Sequence, residues 1–418
     1  MRVGLLRDHD FRQLFTADTI SQVGTQVSVL ALPLVAVLNL QASPLEVGIL
    51  TAAETAAFLL VGLPAGALVD RVRRRGAMVI ADLLRAVLLV SVPVAWWLDV
   101  LSMPQLYLVG LLAGVCTVFF DVSYQSYLPF LVGKEHLVEG NSRLELVRST
   151  AQIGGPTVAG LLVKAVGGPV AMLVDGVSYL VSALFLGRIR RIEERPERHP
   201  DAHLGREILE GLRFVVGNRL LRAIAACTGT ANFFGAIVQA TLVMFLAREL
   251  ALSPALIGLF FTVGGLGALA GAFLVRPITQ LVGAGPAIWL GILVGDLGGL
   301  LVPLAAPGWR LWLAAAGSAL FGIGVIVYNV NQVSFRQGIT PDALLGRMNA
   351  TMRFIVWGTL PLGALAGGAL ASAIGVHEAL WVASVGALVA VVPILVSPLR
   401  SMRELTPAAP AGTEAVRK

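Results

Sequence analysis

Apolar runs of about 20 residues recur along the chain from near Phe11 to near Val396, separated by short polar or glycine-containing breaks. None of them alternates with the period of two that a half-buried strand requires. A helix crossing about 30 Å of hydrocarbon needs about 20 mainly apolar residues. Twelve runs meet that length: 12–38, 44–69, 76–98, 104–131, 141–165, 168–187, 219–247, 253–275, 284–304, 309–333, 346–373 and 377–397. Lipid leaves only helices or closed barrels able to satisfy their backbone groups, and continuous apolarity argues against a barrel. The pattern therefore predicts an all-α membrane protein with twelve transmembrane helices. The basic stretch "MRVGLLRDHDFRQLF" precedes the first run with no small-residue cleavage site after it, so that run reads as an uncleaved span.

One long polar break, "RIRRIEERPERHPDAHLGR" from Arg188 to Arg206, divides the chain near its middle. It predicts four units: a six-helix half over 1–187, a cytoplasmic linker over 188–218, a second six-helix half over 219–399, and a disordered cytoplasmic tail over 400–418. Within the linker, "EILEGLRFVVGNRLL" has the spacing of an amphipathic helix lying on the membrane surface. The halves also match each other at a shift of 205 to 210 residues. "SPLEVG" at Ser43 pairs with "SPALIG" at Ser253, Pro93 with Pro303, "FDV" at Phe120 with "YNV" at Tyr328, and Arg148 and Pro156 with Arg353 and Pro361. Ser43-Pro44 and Ser253-Pro254 are helix starts, with Ser as N-cap and Pro at the first helical position; Glu46 completes a capping box in the first half. A duplicated six-helix unit with its polar site between the halves is a transporter architecture.

Composition agrees with a bilayer as solvent: 56% of residues are hydrophobic, 13% are charged, and the mean hydropathy is +0.82. With both termini placed inside, 24 of the 31 Lys and Arg residues fall in cytoplasmic segments or helix ends, and three, Lys164, Arg248 and Arg310, fall outside. That asymmetry follows the positive-inside rule. The net charge of +6 thus reads as a membrane anchor and gives no reason to expect a nucleic-acid partner. Cys116 and Cys227 lie in different spans, and Pro200 separates His199 from His203, so no disulfide or metal site is expected. None of the three lysines follows a phosphate-cradling glycine loop, and no Ser-His-Asp set stands out, so neither ATP-driven pumping, a cofactor nor an enzyme is expected.

An ionisable residue within a span needs a partner, an aqueous cavity or a function. Asp82 with Arg85, and Glu145 with Arg148, are spaced for ion pairs on one helix face; Arg148 alternatively faces the central cavity together with its repeat mate Arg353. Glu54 lies ten residues beyond Pro44, about 15 Å along the helix and so near mid-membrane, and "TAAETAAFLL" supplies no cation within a turn. A carboxyl so placed is a candidate to bind and release a proton. Asp18 heads a stripe with Gln22 and Gln26, and Asp121 sits near Tyr124, with Asn329 as its repeat mate and Asn331 beside that. Glu54, Asp18 and Asp121 are the three candidates for proton coupling; the alternative for each is a paired or neutral carboxyl that fixes packing. Trp357 is a candidate for an apolar wall of a binding pocket.

The loop "GALVDRVRRRG" carries Gly66, Asp70, Arg71, Arg74 and Arg75 in the pattern G-x-x-x-D-R-x-G-R-R, with Arg73 in place of the second Gly. "GGPTVAG" carries Gly155, Pro156 and Gly160 in a pattern similar to G-P-x-x-G-G, with Ala159 in place of one Gly. These residues resemble the major facilitator superfamily, and stretches from "PAGALVDRVRRR" to "GRMNATMRFIVWGTLPLGALAGG" look like its drug:proton antiporter branch, which includes macrolide and enterobactin exporters. The resemblance implies the two-lobed fold and a latch at Asp70 that holds the outward-facing state. It also points to a secondary exporter of amphipathic small molecules (drug, antibiotic or siderophore-like) that exchanges them for protons by alternating access. A narrow exporter of a self-made metabolite and a non-transporting sensor or scaffold are the alternatives. The expected partners are a small-molecule substrate, protons and lipid, with the protein a monomer in a bacterial cytoplasmic membrane.

Overall fold

The computed structural model describes residues 5–69, 72–133, 136–191, 193, 204–341 and 344–403. All regular structure among them is helical. The first half holds α1 (His9–Leu34), α2 (Pro44–Val69), α3 (Arg74–Trp97), α4 (Met103–Val132), α5 (Leu137–Val166) and α6 (Gly168–Gly187). After the amphipathic α7 (Leu204–Gly217) come α8 (Arg219–Met244), α9 (Pro254–Val282), α10 (Ala284–Gly299), α11 (Trp309–Gly338), α12 (Leu345–Trp357), α13 (Thr359–Ile374), α14 (Val376–Ala387) and the short α15 (Val392–Leu395).

Among the described residues, ten helical segments are long and apolar enough to cross a membrane. They coincide with ten of the twelve predicted spans. The other two predicted spans are α5, whose first half carries Glu139, Arg143, Glu145 and Arg148, and α10, which has 16 residues. The eleventh predicted span is broken into α12 and α13 at Gly358. Pro361 has no N–H to give the carbonyl of Trp357, and its ring crowds that carbonyl.

The repeat seen in the sequence is a repeat of backbone conformation. Each half begins with a helix that runs into one π-helical turn, Val35–Asn39 and Phe245–Glu249. A non-glycine residue in the left-handed region follows, Gln41 (φ 51°) and Ala251 (φ 49°), and then the Ser-Pro helix start. At the first of these starts, Glu46 Oε2 accepts from the Ser43 amide at 2.7 Å and its hydroxyl at 2.8 Å, which closes the expected capping box. Within the halves, α2 packs on α4 as α9 packs on α11, and α1 packs on α6 as α8 packs on α14.

A buried charge pair pins the first half. Asp82 on α3 pairs with Arg85 one turn on, and Ser182 Oγ on α6 donates to Asp82 Oδ2 at 2.6 Å. The Arg85 guanidinium lies between the rings of Phe120, 4.6 Å away, and Tyr179, 4.1 Å away. The side chains are 0% and 6% exposed, so the pair is structural, as its spacing suggests. Asp82→Ala is expected to destabilise the protein by about 3–5 kcal/mol, because it strands a buried guanidinium. Thermal unfolding in detergent checks this, with Arg143→Ala, whose half-exposed pair with Glu139 contributes little, as the comparison that leaves the melting temperature nearly unchanged.

The halves meet through α5 on α9 and α2 on α13. Backbones touch there: a Cβ at Gly160 would run into the Pro254 carbonyl, one at Gly258 into the Pro156 carbonyl, and one at Gly48 into the backbone of Gly368. Thr157 and Thr262 share a hydrogen bond of 2.8 Å. Arg248 on the second half donates to Val37 O and Ala42 O of the first, both at 2.7 Å. These contacts gather at the end of the bundle where α2 and α9 start and α5 and α13 finish. The hydrogen bonds from Arg248 and between Thr157 and Thr262 lie on this side.

The opposite end carries the arginines. There Asp10 accepts from the amides of Arg190 (2.9 Å) and Arg191 (3.0 Å). The α7 helix packs on α12, with Arg347 Nη1 2.7 Å from Glu210 Oε2. The predicted tail is tied down as far as Arg403, through Gly285 N to Met402 O at 2.8 Å and Ala284 N to Arg403 O at 3.2 Å. The rest of the predicted tail, His199 and His203 lie outside the described residues.

Candidate functional site

A cavity of about 700 Å³ lies between the halves, within the range of small-molecule sites. The first half contributes Gln26, Val29 and Pro33 from α1, Thr51 and Glu54 from α2, and Gln152 and Pro156 from α5. The second half contributes Asn232 and Gln239 from α8, Phe260 and Phe261 from α9, Asp296 from α10, Phe321, Tyr328 and Asn329 from α11, Leu360 from α13 and Ser384 from α14. The wall is mainly apolar with a few amides, hydroxyls and carboxylates, and no Lys, Arg or His is among the described lining residues.

Glu54 occupies this wall because α2 and α4 come unusually close. Gly110 and Gly114, one turn apart on α4, face it: a Cβ at Gly110 would sit 3.1 Å from Glu54 Cγ, and one at Gly114 would sit 2.8 Å from Glu54 O. Among the described residues no donor or cation partners its carboxylate. The other two proton-coupling candidates are differently placed. Asp18 is 4% exposed, accepts from Gln22 Nε2 at 3.4 Å and lies in the field of Arg148. Asp121 lies in the field of Arg85, Arg148 and Arg353. Neither is among the residues that line the cavity.

The remaining sequence-predicted residues divide. Gln26 and Asn329 line the cavity, and Pro156 does too. Asn331 does not: it is buried, accepts from Thr279 Oγ1 at 2.8 Å and donates to Val327 O at 2.8 Å, which ties α11 to α9. Tyr124 stacks on Phe120 with ring centroids 6.2 Å apart. Trp357 meets Phe58 of α2 edge to face at 4.6 Å, and Arg353 lies 5.4 Å from the Trp357 ring. Arg148 is exposed, and Glu145 accepts from Ser149 rather than from Arg148 among the described residues. Gly155 leaves room for the Gln26 side chain, whereas Gly160 and Pro156 make the contact with α9.

The arginine loop is described in part, with Asp70 and Arg71 outside the described residues. Arg74 reaches Ser126 O at 3.3 Å and Glu193 at 3.7 Å. Arg75 Nε donates to Leu186 O at 2.9 Å, its Nη2 to Gly187 O, and its amide to Glu193 Oε2 at 3.3 Å. Arg74 therefore binds the end of α4 and Arg75 the end of α6, and both meet Glu193 of the linker. Arg73 has φ −68° and ψ 116°, an extended residue ahead of α3. No left-handed turn is asked of it, unlike its repeat mate Gly283 (φ 93°), so an arginine fits where the pattern has Gly.

Two carboxylates were not singled out by sequence. Asp296, 3% exposed, has an Oδ2 with no hydrogen-bond partner among the described residues and lies on the cavity wall. Asp175 on α6, 1% exposed, accepts from Ser178 Oγ at 3.0 Å and has an unpartnered Oδ2. Both are lone charges in apolar runs, the signal that marks Glu54.

Comparison with known proteins bears on this arrangement. The sequence model of a family described as transmembrane secretion effector matches residues 3–416. The multidrug efflux pump Tap of Mycolicibacterium fortuitum is 29% identical over 382 residues, covering 87% of this chain and 89% of that protein. The enterobactin exporter EntS of Escherichia coli is 27% identical over 351 residues, covering 84% and 82%. Among solved structures, the nucleoside transporter NupG superposes with a TM-score of 0.77 at 11% identity, covering 92% of this chain and 98% of that one. A bacterial homologue of the iron transporter ferroportin, in its inward-facing state, gives 0.73 at 19% identity, covering 94% and 99%.

Proposed function

Because the chain belongs to the transmembrane secretion effector family of major facilitator transporters, a multi-pass membrane family of exporters rather than enzymes, we propose that it exports amphipathic small molecules in exchange for protons. The observation that carries this reading is Glu54: an unpartnered carboxylate on the wall of a cavity shared by both halves. Such a group can take a proton from one side of the membrane and release it to the other when the halves rock. Asp18 and Asp121, each in the field of a cation, serve as relay or packing groups.

In this reading α5 and α10 also cross the bilayer, which gives twelve spans with both termini inside. The arginine-rich end faces the cytoplasm of a bacterial inner membrane, as the positive-inside rule asks. The end sealed by Arg248 and the glycine contacts then faces outward. Asp70 latches the cytoplasmic ends in the alternate state, while Arg74 and Arg75 hold its loop to the first half. The exporter works as a monomer, since the cavity lies between halves of one chain, and the multidrug and enterobactin exporters among its relatives support an amphipathic cargo.

The test uses proteoliposomes with an imposed pH gradient and a panel of drugs and siderophores. The expected result is cargo movement that speeds up with the gradient and stops when a protonophore collapses it. Cargo movement indifferent to the gradient across the whole panel rejects proton coupling.

A further inference from the structure

The cavity holds one carboxylate from each half, and they differ in how they are held. Glu54 sits on α2, which packs across the halves on α13, so its surroundings change as the halves move. Asp296 sits on α10, which is bound to α11 within one half by glycine contacts: Gly291 with the Tyr328 backbone, Gly295 with Gly324, and Gly298 with Gly317. The residue is 3% exposed, and among the described residues its Oδ2 has no hydrogen-bond partner and no charged side chain acts on it. A carboxylate that is almost wholly enclosed yet belongs to a cavity wall, carried by a helix pair packed through glycines, is a preformed binding group.

The rest of the wall decides what it binds. The described lining has no Lys, Arg or His, and Phe260, Phe321 and Tyr328 are among the residues of the same wall. An anionic cargo would meet two carboxylates and no counter-charge. A neutral cargo would leave Asp296 buried and unpaired. An organic cation supplies the missing charge, and aromatic residues in the wall favour it further. We propose that Asp296 binds the cationic group of the cargo, so that the cavity selects amphipathic organic cations. The proposal deepens the export reading of this cavity, and it assigns the cargo to Asp296 and the proton to Glu54.

Binding at equilibrium tests it with no gradient present. Full-length protein in detergent is titrated with tetraphenylphosphonium and with triphenylphosphine oxide, a neutral compound of similar shape. The expected result is binding of the cation at least about tenfold tighter than the neutral probe, roughly 1.4 kcal/mol. Asp296→Asn should lower cation affinity at least as much and leave the neutral probe unchanged. Asp296→Glu should restore cation binding. Equal binding of the two probes, binding of neither, or an Asp296→Asn loss that is the same for both overturns the proposal. Cation binding that depends on Asp296 in a protein that moves no protons would leave the proposal standing and remove only the coupling reading.

Discussion

Glu54→Gln is expected to give a protein that still binds cargo but no longer draws on a pH gradient, with gradient-driven efflux falling to the level of liposomes without protein. Gln keeps the volume and a polar end at the contact with Gly110 and Gly114, where a Cβ would already crowd Glu54, so packing is preserved. It removes a group that can capture and release a proton reversibly. The measurement is cargo flux with and without the gradient, in parallel with cargo exchange at equal pH on both sides. Exchange should survive. If the variant keeps the wild-type response to the gradient, Glu54 carries no coupling proton, and the role passes to Asp18 or Asp121. If exchange is lost as well, the substitution has damaged binding or movement of the halves.

Gly258→Leu is expected to have the second large effect, through the seal rather than the chemistry. At Gly258 a Cβ would strike the Pro156 carbonyl, and at Gly160 another would strike Pro254; the two helices therefore meet backbone to backbone. Overpacking a tight contact costs typically about 1–3 kcal/mol. Paid in only one of two conformations, that cost shifts their ratio by roughly 5–150-fold toward the state in which this end is open. The readout is labelling of Val29→Cys, an exposed residue of the cavity wall, by a membrane-impermeant maleimide added outside, with Cys116 and Cys227 replaced by Ser. Labelling should rise and transport should fall. Unchanged labelling would mean that the glycine contact does not control access from this end. Arg248 holds the same seal by hydrogen bonds to Val37 and Ala42, so its contribution should add to that of the glycines.

Much of this was legible in the sequence because the signals are local and repeated. Continuous apolar runs locate the helices, and the matched Ser-Pro starts report a duplicated unit whose halves share even a π-helical turn and a left-handed residue. The break in the eleventh span was only half legible. Pro361 and its mate Pro156 look alike, but Gly358 stands where the first half has Ile153. The eleventh span parts at Gly358, whereas α5 continues through Gly154, Gly155 and Pro156.

The site was less legible, because it depends on how helices of different halves are rotated. Asn329 and Asn331 are two residues apart, which on a helix turns them to different faces; one lines the cavity and the other ties α11 to α9. Asp296 in "LVGDLGGL" and Asp175 in "MLVDGVSYL" carry the same local mark as Glu54. No sequence spacing says that Glu54 and Asp296 share one cavity while Asp175 faces α1.

Coupling itself is tested most directly by letting the cargo do the driving. Proteoliposomes with equal pH on both sides, a lumenal pH dye and a cargo gradient alone should show protons moving against the direction of cargo flow, with the proton movement absent in Glu54→Gln. Cargo flowing down its gradient through the wild-type protein with the lumenal pH constant would contradict proton exchange through this cavity.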